Sequence, residues 1–189
     1  MRLFVAVELE PRVAAQIAEC SRELRRRAEA MAPRARVSWV PPERLHVTVR
    51  FIGQADETRV TAIGSALEPA LTTRRFDIVA AGMGAFPERG RPRVLWAGVT
   101  GGQDALGNLA REVSGRLESC GVARDERPFR PHVTLARIRD PGGLRSGPLL
   151  AGLVDQVFGS SPVDAITLFE SRPSSSGHVD VPLRRTRLG

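Results

Sequence analysis

Two segments of this chain carry the same chemistry-bearing pattern: His46-Val47-Thr48-Val49 and His132-Val133-Thr134-Leu135, offset by 86 residues. Alternate side chains of a β-strand share a face, so on extended backbone His46 and Thr48 point one way while Val47 and Val49 point into a core. His132 and Thr134 do the same against Val133 and Leu135. An imidazole titrates near neutral pH, so one ring can hold a proton while the other lacks one. Opening a cyclic phosphodiester with water needs a base for the attacking water and an acid for the departing sugar oxygen. Two facing imidazoles supply both, and Thr48 and Thr134 are placed to meet charge on the phosphoryl oxygens. That chemistry needs no metal or other cofactor and predicts a bell-shaped pH dependence. The competing view makes both histidines structural residues on half-exposed strands; the recurrence of the pair in matching contexts weighs against it.

Neighbouring residues extend the candidate site. Arg50 follows Thr48 by two and Arg130 precedes His132 by two, so regular alternation turns both toward the same cleft as phosphate clamps, although Pro131 disturbs the count at Arg130. By the same count Arg137 falls on the opposite face. Trp39 could stack on an unpaired base, whereas Phe51 is expected in the core. His178 lacks a threonine partner and is expected at the surface.

The elements that must position these residues repeat as well. A strand at Leu3–Val7 precedes a helix that starts at Pro11 and carries Val13, Ile17, Cys20 and Leu24 at helical spacing. A short strand at Val37–Val40, a Pro41-Pro42 break and a strand at Leu45–Ile52 follow. A second helix is predicted with Val60, Ile63, Leu67 and Leu71 on one face, then a strand at Arg75–Ala81. The order begins again with strand Val94–Val99, a turn at Gly101-Gly102, a helix with Leu106, Leu109, Val113 and Leu117, and strand His132–Ile138. A poorly patterned stretch leads to strands near Val154–Phe158 and Val163–Phe169, and a turn at Ser174–Gly177 precedes a last strand. The reading is an α+β fold: two pseudo-symmetric lobes of antiparallel sheet, helices packed outside, and the active-site cleft between them. The whole chain, 1–189, is read as one bilobal domain.

Composition agrees with a globular protein of 189 residues, 42% hydrophobic and 26% charged. All 28 basic residues are arginine and the net charge is +7, which favours polyanionic partners. Cys20 and Cys120 are expected as buried free thiols, not a disulfide framework. The apolar start is too short for a secretory signal and no run reaches membrane-spanning length, so a cytoplasmic protein without membrane contact is expected. Three histidines and no Cys-x-x-Cys give no cluster at metal-ligand spacing, which leaves a metallohydrolase weakly supported. A non-catalytic RNA-binding module that holds phosphorylated ends in a basic cleft is the other reading.

Along nearly its whole length the sequence resembles the two-histidine phosphoesterases, and specifically the RNA 2′,3′-cyclic phosphodiesterases once called bacterial 2′-5′ RNA ligases. The resemblance rests on LFVAVEL, WVPPERLHVTVRFIG, RPRVLWAGV, FRPHVTLARIR and LFESRPSSSG. It implies that His46 donates a proton to the leaving oxygen, that His132 accepts one from water, and that RNA with a 2′,3′-cyclic phosphate end yields a 2′-phosphate. Small cyclic nucleotides are further candidate substrates, and a monomer is expected. It also implies a reverse reaction that joins ends through a 2′-5′ bond. One position departs from the family: an aromatic residue often stands two places after the glycine of the last strand, where this chain has Val179.

Overall fold

The computed structural model describes residues 1–174 and 177–189. Among the described residues the elements run β1 (Arg2–Glu8), α1 (Pro11–Met31), β2 (Arg36–Trp39), β3 (His46–Gln54), α2 (Glu57–Ala66), β4 (Phe76–Phe86), β5 (Val94–Gly101), α3 (Gln103–Glu118), β6 (His132–Asp140), α4 (Ser146–Leu150), β7 (Val157–Val163), β8 (Ala165–Ser174) and β9 (Gly177–Arg187). A 3₁₀ turn at Pro42–Arg44 leads into β3. The tip of the turn expected before the last strand, residues 175 and 176, lies outside the described residues.

The strands form one curled antiparallel sheet in the order β7-β4-β5-β6-β3-β1-β8-β9, with β2 paired to the far part of β6. Outward from the β6/β3 junction the two sides match, β6-β5-β4-β7 and β3-β1-β8-β9. At the junction the paired residues are Val47 and Val133, which occupy equivalent places in the two sequence repeats. The pseudo-two-fold axis therefore passes through the point where the halves meet, and the expected α+β fold with two similar lobes is what forms.

The helices cover the valine side of the sheet. Helix α1 starts at Pro11, where a missing N–H costs nothing, and the Glu10 carboxylate accepts from the Arg12 N–H at 3.1 Å. Val13, Ile17, Leu24 and Ala28 form its buried stripe, and Leu106, Leu109, Val113 and Leu117 form that of α3. Both stripes join Val47, Val49, Val133 and Leu135 in one core. Each fully buried leucine or isoleucine contributes about 1.5–3 kcal/mol, so the strands that carry the histidines are held from behind by a continuous buried core. The β5-to-α3 turn requires glycine at 102: its φ is 74°, and a Cβ there would lie 2.4 Å from the Asp77 carbonyl oxygen.

Three expectations need correction. Helix α2 ends at Ala66 because Glu68 precedes Pro69 and is driven out of helical geometry; Leu71 is buried beyond the helix, where it bridges Leu188. The unpatterned stretch before β7 contains the short helix α4. Cys20 and Cys120 are free but half-buried, Cys20 with its Sγ 3.1 Å from the Met83 Sδ.

Candidate active site

Pairing of Val47 with Val133 in antiparallel register sets His46 opposite Thr134 and Thr48 opposite His132, with all four side chains on the face away from the core. The histidines are diagonal neighbours, about 7–8 Å apart at the backbone by ordinary sheet geometry. At that spacing two side chains on one face of a sheet can approach a common small group. His46, Thr48 and Thr134 line a depression of about 540 Å³, while His132 lines a separate one of about 850 Å³.

Each imidazole is anchored through the backbone of the residue two places before it. The Nδ1 of His132 lies 2.7 Å from the Arg130 carbonyl oxygen. A carbonyl can only accept, so Nδ1 carries the hydrogen and Nε2 is left for proton transfer. His46 makes a backbone hydrogen bond to Arg44, the position equivalent to Arg130 in the repeat.

Their surroundings differ. His46 lies on an apolar bed: the Phe4 ring stacks on it at 5.0 Å, and Phe169 lies 6.2 Å away. Burial is the largest influence on its pKa and lowers it below 6.5; the Asp180 and Glu8 carboxylates and the backbone bond oppose this, while the Arg44 charge adds to it. Asp180 is itself gripped by Arg44 in a two-point ion pair, Nε–Oδ2 2.7 Å and Nη2–Oδ1 3.0 Å. His132 meets the edge of the Phe86 ring at 5.4 Å. Its pKa is lowered first by burial and also by the Arg137 charge, with only the Arg130 backbone bond opposing. Carboxylates thus oppose burial and the Arg44 charge at His46, whereas at His132 the nearby charge, Arg137, acts in the same direction as burial.

Two equivalent β-bulges rearrange the rest of the site. Between β1 and β3 the register steps from Thr48 to Arg50, and between β5 and β6 it steps from Thr134 to Ala136. A bulge puts two successive residues on one side and reverses the alternation beyond it. Val49 and Arg50 are accordingly both buried, as are Leu135 and Ala136. Arg50 does not face the cleft as the unbroken alternation implied: it turns to the core side, donates to the Ala123 carbonyl oxygen and lies 3.7 Å from Asp125. Phe51 and Arg137, expected on the core side and on the opposite face, instead both line the depression with His46; Phe51 is 49% exposed. The repeat held a signal for this, because it aligns Arg50 with Ala136, a residue suited to a buried place.

Trp39 is also corrected: it pairs with Ala136 and packs half-buried against the core, and Val40 lines the depression in its place. Arg130 lies just before β6, exposed at the rim of the larger depression, with a loose 3.7 Å ion pair to Glu88. His178 is exposed at the margin of the smaller one, and its carbonyl accepts from Arg44 at 2.5 Å. Sequence reasoning missed Asp180, Glu8 and Arg127. The last lines the smaller depression and is bound to Asp125 at 2.9 Å. No group of three or more His, Cys, Asp or Glu side chains is placed to hold a metal among the described residues, and no helix there is long and apolar enough to cross a membrane.

The chain resembles known proteins in sequence and in fold. A family model described as LigT like Phosphoesterase matches residues 11–96 and 98–178, so that both His-x-Thr strands fall within it. The chain is 38% identical over 159 residues to an RNA 2′,3′-cyclic phosphodiesterase of Aeropyrum pernix, covering 74% of this chain and 88% of that protein. It is 32% identical over 188 residues to the protein of the same name from Archaeoglobus fulgidus, covering 97% and 98%. The crystal structure of TT0787 of Thermus thermophilus superimposes with a TM-score of 0.76 at 28% identity, covering 100% of this chain and 98% of that one. Matched along both halves of its sheet, with a His-x-Thr strand in each, the chain belongs to the LigT-like phosphoesterase family.

Proposed function

We propose that the protein hydrolyses 2′,3′-cyclic phosphate ends of RNA to 2′-phosphates without a metal, by acid-base catalysis between His46 and His132. The observation that carries this reading is the Val47–Val133 register, which sets two imidazoles and two threonines on one face across the junction. The names of the curated relatives support the substrate class. The asymmetry of charge supports the roles: His46, beside Asp180 and Glu8, is the acid that protonates the departing O3′, and His132, beside Arg137, is the base that takes the proton of water. Thr48 and Thr134 donate to the non-bridging phosphoryl oxygens, and Arg137 neutralises their charge. The leaving oxygen belongs to the terminal ribose, so the ribose sits on the His46 side, where the exposed Phe51 ring offers a stacking surface for its base. Small 2′,3′-cyclic nucleotides fit the same scheme. Attack by an alcohol in place of water joins two ends through a 2′-5′ bond using the same groups. In this reading the two lobes of residues 1–189 work as one catalytic unit.

The test is an oligonucleotide with a 2′,3′-cyclic phosphate end, incubated in excess chelator, with the terminal phosphate identified. A 2′-phosphate is expected, with turnover lost by 10²-fold or more, roughly the contribution of one positioned acid or base, in His46→Ala and in His132→Ala. A 3′-phosphate product would mean that the other oxygen leaves, and activity that survives both substitutions would remove the mechanism.

A further inference from the structure

The smaller depression holds more positive charge than a cyclic phosphate needs. Among the described residues it is lined by four guanidiniums, those of Arg2, Arg44, Arg127 and Arg137, and by one carboxylate, Asp180. Arg44 is neutralised by that carboxylate. A 2′,3′-cyclic phosphate carries a single negative charge, which Arg137 and the two threonines meet in the proposed function. Arg2 and Arg127 are left over.

Arg127 is held in place by a relay that starts in the core. Its side chain is 79% exposed, and a long exposed arginine ordinarily samples many rotamers. Here the Asp125 carboxylate accepts from the Arg127 Nε and Nη2 at 2.9 Å each and from its backbone N–H at 3.1 Å. These bonds hold the Asp125 carboxyl at about 2, so it stays ionised wherever an imidazole titrates. Asp125 in turn stands 3.7 Å from the buried Arg50 guanidinium, which also donates to the Ala123 carbonyl oxygen. The segment 123–127 is thereby docked on β3 at Arg50, the residue before Phe51. A guanidinium has N–H donors on three nitrogens. Asp125 engages Nε and Nη2, which leaves the Nη1 side for a second anion.

The aromatic rings give the direction. Phe4 stacks on His46 with centroids 5.0 Å apart, and the Phe51 ring lies 6.4 Å from that of Phe4. From the acid outward the order is His46, Phe4, Phe51 and then the docked segment that carries Arg127. A terminal nucleoside with its O3′ at His46 and its base on Phe51 turns its 5′-oxygen, and the phosphodiester attached there, toward that segment.

We infer that Arg127 binds the phosphodiester on the 5′ side of the terminal nucleoside and so selects the end of an RNA strand over a free cyclic mononucleotide. This inference rests on the proposed function, which places the leaving oxygen at His46 and the base on Phe51. A guanidinium pairs well with the non-bridging oxygens of a phosphodiester, and such a contact fixes the register of a strand without reading its bases. Asp125 is the positioning residue that aims it.

The experiment measures kcat/KM of the full-length protein on three substrates that end in a 2′,3′-cyclic phosphate. They are a mononucleotide, a dinucleotide, and the same dinucleotide with an uncharged methylphosphonate between its nucleosides. The charged dinucleotide is expected to exceed the other two about tenfold, the low end for a hydrogen bond to a charged group, because Arg127 is exposed and screened by salt. In Arg127→Ala the ratio of charged to uncharged dinucleotide is expected to fall to near one. Arg127→Lys, which keeps the charge but not the planar fork, is expected to fall between the two. Equal kcat/KM for both dinucleotides in the wild type would overturn the inference and leave the proposed function intact. A preference that survives Arg127→Ala and is lost in Arg2→Ala would assign the contact to Arg2 and overturn it as well. An equal loss on all three substrates in Arg127→Ala would show that Arg127 serves the cyclic phosphate instead. Absence of hydrolysis of every substrate by the wild type would remove the proposed function and this inference together.

Discussion

Replacing Arg137 by alanine and, separately, Arg50 by methionine tests the bulge that decides which arginine serves the site. Arg137 lines the depression with His46 and both threonines. A hydrogen bond to a charged group is worth about 1.5–3 kcal/mol. Its loss from the transition state should lower kcat/KM by about 10- to 150-fold at about 1.36 kcal/mol per decade. Thermal stability should hardly change, as for most exposed substitutions. Arg50 is 6% exposed and donates to the Ala123 carbonyl oxygen. Methionine retains much of the apolar stem but orphans that carbonyl, at a cost of about 1–3 kcal/mol. For a chain of this size the cost lowers Tm by roughly 2–12 °C. Asp125 keeps its two-point pair with Arg127 at 2.9 Å, so the penalty stays below that of stranding a buried charge. Steady-state kinetics on a 2′,3′-cyclic nucleotide and a thermal melt of each variant separate the two outcomes. If Arg50→Met loses activity at unchanged Tm, or Arg137→Ala melts early with full activity, the faces have been assigned the wrong way round.

Further consequences concern pH and packing. Burial lowers both histidines below 6.5, so the kcat/KM profile, which reports the free enzyme, should peak below pH 6.5; an optimum near 8 would contradict the burial. Asp180→Asn removes a charge that raises the His46 pKa and frees the Arg44 charge that lowers it, so the alkaline limb should move to lower pH while the acid limb stays. For Glu112, burial raises the carboxyl pKa, but hydrogen bonds from Thr72 and Thr73 outweigh it and hold the group at about 2. The unfolded chain binds that proton first, so this contribution is present above about 4.5 and lost as pH falls toward 2; urea melts of Glu112→Gln across that window should show a flatter pH dependence than the wild type. Leu109→Ala, in the fully buried stripe of α3, should cost about 2–5 kcal/mol and lower Tm without changing the pH profile.

The sequence by itself determined the repeat, the two His-x-Thr strands, the helical stripes and hence the α+β class, because each is a matter of local periodicity: 2 for strands, 3.6 for helices. It also determined which side of each strand is core up to Val49 and Leu135. The tertiary structure decided what comes next. A bulge is a property of two paired strands, invisible in either alone, and a slip of one residue exchanged Arg50 for Phe51 and moved Arg137 into the site. Pairing across the sheet likewise set Glu8 beside His46 and Gly98 beside His132, and the β9 strand carried Asp180 back to Arg44 across 136 positions of sequence. Proton affinity at the two imidazoles depends on those distant charges and on burial, so any difference between them arises only once the chain has folded.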